Sequence, residues 1–281
     1  MISNGMTQRG SRSTRAIIAL TVIACAASCR RGSVPQLPPA AAAPARPAPA
    51  PGLNSGEAVV RAMHDKYNNK WYRTLTFTQK TTTTLTSGSE VVQTWYEAAM
   101  FPGKLRIDTD LKSKSGQLFT RDSLFVFNAG KQVSADTGMN PLLVLGFDVY
   151  LQPANRTISI LRRLGYNLDL VHESTWQGKP VYVVGAERGD TVSRQFWVDR
   201  DRLLFLRSID RVRQGRADTR FNQYVESGGG WIAVEVVFLV AGRRRLLEEY
   251  SDVRTNVPLN DALFDPTRWT TVAHWTTQPP G

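Results

Sequence analysis

Cysteine and histidine are scarce. The 281 residues contain two cysteines, Cys25 and Cys29, and three histidines, His64, His172 and His274, far apart in the chain. Too few Cys or His ligands stand near one another for a metal site. HExxH, GxSxG, Walker A and dinucleotide-binding glycine patterns are absent from the sequence, which removes the motif-borne routes to the chemistry each supports. The carboxylates of "DVRTN", "NDALFDP" and "WVDRDR" sit where turns and strand edges are expected. A binding protein with no cofactor and no metal is the expectation. An enzyme built from carboxylates that meet only in space is the weaker alternative.

Acid is missing from the first 52 residues. Six of the 35 Lys and Arg stand there, none of the 24 Asp and Glu does, and the formal charge of +11 falls to 29 basic against 24 acidic groups beyond them, a net of +5. That modest excess names no polyanionic partner. The runs "RSIDRVRQGRADTR" and "GRRRLL" read as solvated hairpin faces, with anionic lipid headgroups as the alternative contact.

A long apolar run is missing too. "AIIALTVIA" falls short of the roughly 20 residues that span a bilayer. It follows Arg9, Arg12 and Arg15, and small residues come next, the layout of an export signal. Signals that end at a cysteine resemble those of bacterial lipoproteins, in which that cysteine is acylated after cleavage. "VIAC" ends at Cys25 and "AASC" at Cys29. Cys29 is preferred, because that register uses the whole apolar run and stops before Arg30 and Arg31. The alternative is an ordinary signal that takes both cysteines away. Export argues against nucleic acid as a partner, and Arg30 after Cys29, with no Asp there, points to the outer membrane.

The expected organisation is a signal over residues 1–29, an Ala/Pro-rich tether over 30–52 and one domain over 53–281. "GSVPQLPPAAAAPARPAPAPG" has too few large apolar residues to bury a core, and its prolines stiffen it.

The domain reads mostly as strands. "RTLTFTQKTTTTLT" alternates Leu75 and Phe77 with threonines, and "SEVVQTWYEAAMF" follows across a "TSGS" turn. Turn signals recur at short spacing and no helical crossovers alternate with strands, so an antiparallel meander or barrel is expected. "SGEAVVRAMHDKY" sets Val59, Met63 and Tyr67 on one helical face, with Ser55 as its N-cap. "NPLLVLGFDVYLQPANRTISILRRLG" is a second helical stretch, divided by Pro153. Its first half is apolar nearly all round, which means deep burial or contact with something apolar.

This order of elements resembles the LolA/LolB-like lipoprotein-localisation superfamily over about residues 55–269. The echoes are "FPGKLRIDTD", the hairpin "FWVDRDRLLFLR", and the tail from Tyr250 to Pro266 with Val257-Pro258 and Leu263-Phe264. The resemblance implies a mainly β (α+β) fold, an incomplete antiparallel β-barrel, or half-barrel, whose apolar concave face is covered by helices. In the family that face holds acyl chains. LolA-type carriers are soluble, whereas this chain reads as tethered, closer to the receptor type. No substrate-recognition residue is carried over.

Alternation alone supplies a candidate inner wall: Leu75, Phe77, Tyr96, Leu105, Ile107, Phe196, Val198, Val234, Val236 and Phe238, with Leu143 and Phe147 from the covering helix. The same residues could equally pack a closed, dry core. The expectation is therefore a lipid-anchored, monomeric envelope protein that binds lipid or acylated lipoprotein. An interaction or sensor module with a closed barrel is the alternative.

Overall fold

The computed structural model describes residues 52–277. The export signal, both cysteines and all of the tether except Gly52 lie outside the described residues. Helix α1 (Gly56–Tyr67) comes first, then six strands: β1 (Thr74–Thr84), β2 (Glu90–Met100), β3 (Lys104–Asp110), β4 (Ser115–Thr120), β5 (Ser123–Asn128) and β6 (Lys131–Thr137). A helical passage follows, made of α2 (Pro141–Gly146), a 3-10 turn at Asp148–Tyr150, and α3 (Ala154–Arg163). Seven more strands complete the sheet: β7 (Val171–Trp176), β8 (Lys179–Val184), β9 (Gln195–Asp199), β10 (Phe205–Val212), β11 (Gly215–Ser227), β12 (Gly230–Val240) and β13 (Arg243–Thr255).

All thirteen strands form one antiparallel sheet in the order β6-β5-β4-β3-β2-β1-β13-β12-β11-β10-β9-β8-β7. Hairpins generate two meanders, and the pairing of β1 with β13 joins them. The outer strands β6 and β7 do not pair, so the sheet is an open half-barrel, as the family resemblance implies. Because β6 and β7 are consecutive in the chain but lie at opposite edges, the connection between them must cross a face of the sheet. The apolar sequence of α2 and α3 makes that crossing on the inner face.

Local rules explain the helices. Ser55 Oγ accepts the Ala58 amide at 3.1 Å, so α1 is capped as its sequence requires. Gly56 sits where a Cβ would come within 2.4 Å of Val184 and 2.9 Å of the Leu168 carbonyl, so only glycine lets the first turn seat against the sheet. Val59, Val60 and Met63 are fully buried. Pro153 divides the second stretch, and the α3 side that buries Ile158 and Leu161 leaves Arg162 outside, paired with Glu57 and Asp169. Tyr67, Trp71 and Tyr150 lock α1 to the 3-10 turn, with Trp71 stacked on Tyr150 at 3.9 Å.

The opposite face of the sheet is covered as well. The chain after β13 packs Leu263, Phe264 and Trp269 onto Ala98, Leu118 and Phe127. Trp269 stacks on Phe127 at 4.2 Å and holds the Arg106 guanidinium 3.9 Å from its ring. Arg106 donates twice to buried Asp108, at 2.8 and 2.9 Å. Further along, Arg207 lies between Trp176 and Trp197 and donates two 2.7 Å bonds to Asp218. Among the described residues, no helix is long and apolar enough to cross a membrane.

Candidate ligand cavity

Between the inner face and α2 the packing leaves a cavity of about 100 Å³. That is smaller than the cavity of about 150 Å³, lined by aliphatic and aromatic side chains, that takes up benzene. It has room for the end of a chain or a few methylenes.

Strand periodicity decides who lines it. Side chains alternate faces, and cross-strand partners share a face. Leu75 and Phe77 of β1 therefore bring with them Ala99 and Glu97 of β2, and these in turn bring Leu105 and Ile107 of β3. From the other side come Val236 and Phe238 of β12, and Glu248 and Tyr250 of β13. Phe221 of β11 completes the sheet wall, while Asn140, Leu142, Leu143 and Phe147 form the cover.

Two aromatic stacks fix the walls. Phe77 lies on Tyr250 at 4.2 Å, and Phe147 lies on Phe101 at 4.8 Å. Asn140 caps α2 by accepting the Leu142 amide at 2.9 Å. Just behind Phe147, the buried Asp148 carboxylate accepts the Gly103 amide at 2.9 Å, tying the cover to the β2–β3 turn. Gly103 has φ +87°, a conformation that glycine adopts without strain. Burial pushes the Asp148 carboxyl up to about 7, against the opposing effects of the Gly103 amide and the charge of Arg156.

The apolar residues of the wall keep some accessible surface. Leu105, Ile107, Leu142, Phe147 and Phe238 are half-buried, whereas Leu75 and Val236 are fully buried. On β3 this inverts the usual order, since Arg106 and Asp108 on the other face are the more buried pair.

The floor is polar. Glu97 is only 6% exposed. Tyr250 donates its hydroxyl to Glu248 Oε2 at 2.8 Å. Burial, then the neighbouring Glu248 and Asp108, raises the Glu97 carboxyl well above the ordinary carboxylate range. Glu248 is raised as well, again chiefly by burial, which outweighs its hydrogen bonds from Tyr250 and Gln79.

Eight of the twelve wall residues expected from alternation line the cavity: Leu75, Phe77, Leu105, Ile107, Leu143, Phe147, Val236 and Phe238. Four do not. Tyr96 stands opposite Thr78 and so faces the other way, toward His274 and Trp275 of the C-terminal arm. Phe196 and Val198 are fully buried in packed core, with Phe196 edge-on to Tyr166. Val234 packs half-buried against the same core. The residues missed are the carboxylates Glu97 and Glu248 with their neighbours Ala99, Phe101 and Tyr250 on the same parity, and Asn140, Leu142 and Phe221 from other elements. Glu97 lies two residues from Ala99, and Glu248 two from Tyr250, so extending the alternation through "WYEAAM" and "LLEEY" would have exposed both.

No family model matches the chain, and no curated protein matches its sequence. Solved structures do match its shape. A DUF1329 family protein from Desulfovibrio piger superposes with a TM-score of 0.52 at 15% identity, over 76% of this chain and 98% of that one. A domain from Vibrio parahaemolyticus, named for outer membrane lipoprotein sorting, gives 0.53 at 10% identity, over 76% and 97%. The chain has a LolA-like fold. A LolA superfamily protein from Nitrosomonas europaea superposes more loosely, with a TM-score of 0.47 at 16% identity over 73% and 96%. Within this LolA-like fold the cavity lies under the covering helix, against the inner face of the sheet.

Proposed function

We propose that the protein is an envelope lipoprotein, acylated at Cys29 or, in the other register, Cys25, whose half-barrel binds the acyl chain of a lipid or lipoprotein. It acts by binding, as a monomer, in lipid or lipoprotein transport. The Ala/Pro-rich tether holds the domain in the periplasm, away from the outer membrane that carries its anchor. The observation behind this reading is the cavity, where apolar side chains of β3, β12 and the α2 cover keep accessible surface inside an otherwise packed domain. Each methylene buried there contributes about 0.8 kcal/mol, so even a short stretch of chain binds measurably.

Native mass spectrometry of the full chain isolated from a bacterial envelope, followed by lipid extraction, tests this. A stoichiometric acyl-chain species supports a carrier or receptor. A bare mass, with no uptake of an uncharged alkyl probe, sinks the proposal and leaves an interaction module.

A further inference from the structure

The polar floor of the cavity has the wrong chemistry for a carboxylate or phosphate ligand. Glu97 and Glu248 both line it, and no Lys, Arg or His does. Lys80 pairs with Glu249, Lys104 with Asp261, Arg244 with Glu90, and Arg106 with Asp108 on the far face, while Arg245, three residues before Glu248, is not part of the lining. The other elements bring no charge to the cavity. Asn140 of the cover is a helix cap, Phe221, Val236 and Phe238 are apolar, and Glu235 of β12 faces Asn222 and Gln223 instead.

The carboxyl of Glu97 is unpaired. Buried carboxyls are hydrogen-bonded as a rule, yet Glu97, buried at 6% exposure, finds no hydrogen-bond partner among the described residues. Buried Gln79 donates to Thr81 at 2.8 Å and leaves its own Oε1 without a partner. Glu248 differs, since it accepts the Tyr250 hydroxyl at 2.8 Å and is bonded by Gln79 as well. A group with N–H donors and a positive charge matches an unpaired buried carboxyl with a second carboxyl in the same lining and no cation.

Resting on the reading of the cavity as a ligand site, the geometry points to a narrower cargo: an amphiphile with a primary ammonium head, seated between Glu97 and Glu248, and an apolar tail along Leu105, Ile107 and Phe238. In the empty site Glu97 holds its proton, since burial and then the nearby Glu248 and Asp108 favour its neutral form, while burial lifts Glu248 to about 7. When the ammonium enters, Glu97 ionises and its proton passes to the solvent. Anionic amphiphiles are excluded, because nothing in the cavity offsets their charge.

Calorimetry with decylamine, decanol and decanoate on the full chain at pH 7 tests this. Decylamine is expected to bind at least about tenfold more tightly than decanol, with decanoate weakest. Titration in two buffers of different ionisation enthalpy should show about one proton released per decylamine bound. In the double variant E97Q/E248Q, decylamine should lose its advantage over decanol measured in the same variant. Decanoate binding as well as decylamine, decylamine binding without proton release, or an amine preference that survives in the double variant overturns the ammonium site and leaves the apolar cavity standing. Failure of all three ligands overturns both readings. Should the double variant not fold, the wild-type ranking and proton count decide alone.

Discussion

Phe147 lies face to face with Phe101, ring centroids 4.8 Å apart and planes 4° from parallel, so the covering segment is clamped to the sheet at the edge of the cavity. Asp148, the next residue, accepts the Gly103 amide two residues past Phe101. Cover and β2–β3 turn are thus held by one apolar and one polar contact side by side.

Removing the apolar contact should loosen the cover. Phe147→Ala is expected to cost roughly 1–3 kcal/mol, less than for a fully buried ring, because Phe147 is half-buried. Urea unfolding measures this. Decanol affinity, read by calorimetry, should fall in the same variant. An unchanged affinity would mean that Phe147 only packs.

The polar contact predicts a pH dependence. Asp148 holds its proton up to about pH 7 in the fold, against 3.8 for an ordinary aspartate. The folded chain binds that proton more tightly than the unfolded one, so its contribution is full below the ordinary carboxylate range and is lost as pH rises to about 7. Between pH 5 and 8 this one group should lower stability by about 3 kcal/mol. Asp148→Asn keeps an acceptor for Gly103 and should lessen the pH slope; equal slopes in wild type and variant would refute the assignment.

Asp108 titrates in the opposite sense. Burial pushes its carboxyl up, but the hydrogen bonds and charges of His274 and Arg106 outweigh burial and hold it below the ordinary range. Its contribution is present above about pH 4 and is lost as pH falls further. Arg106→Ala leaves this carboxylate without its bidentate partner and is expected to cost about 3–5 kcal/mol at pH 7 by denaturant titration.

Arg207 is fixed by planarity as well as charge, between Trp176 and Trp197 with two bonds to Asp218. Arg207→Lys keeps the charge and loses the fork and the stacking, so about 1–3 kcal/mol should disappear. A thermal midpoint equal to wild type would show that charge alone matters there.

Local chemistry was legible in the chain. Ser55 at the head of α1 and Pro153 between the cover and α3 follow from capping and ring geometry. The alternation of Leu75 with Phe77 and of Val236 with Phe238 told which residues share a face. These are contacts between near neighbours, and the sequence alone determines them.

Which face looks into the cavity was a matter for tertiary structure. Tyr96 and Glu97 are adjacent, and only the pairing of Phe77 with Glu97 sends the acid inward and the tyrosine to the C-terminal arm. The meeting of Glu97 with Glu248 depends on β1 lying between β2 and β13, a closure that joins Leu75 to Thr255. Period-two patterning sorts side chains into two sets without saying which set is inner, and here both faces are covered, so burial could not break the tie. The charged floor stayed hidden for the same reason. A glutamate in a strand reads as solvated until the fold places it beneath a helix.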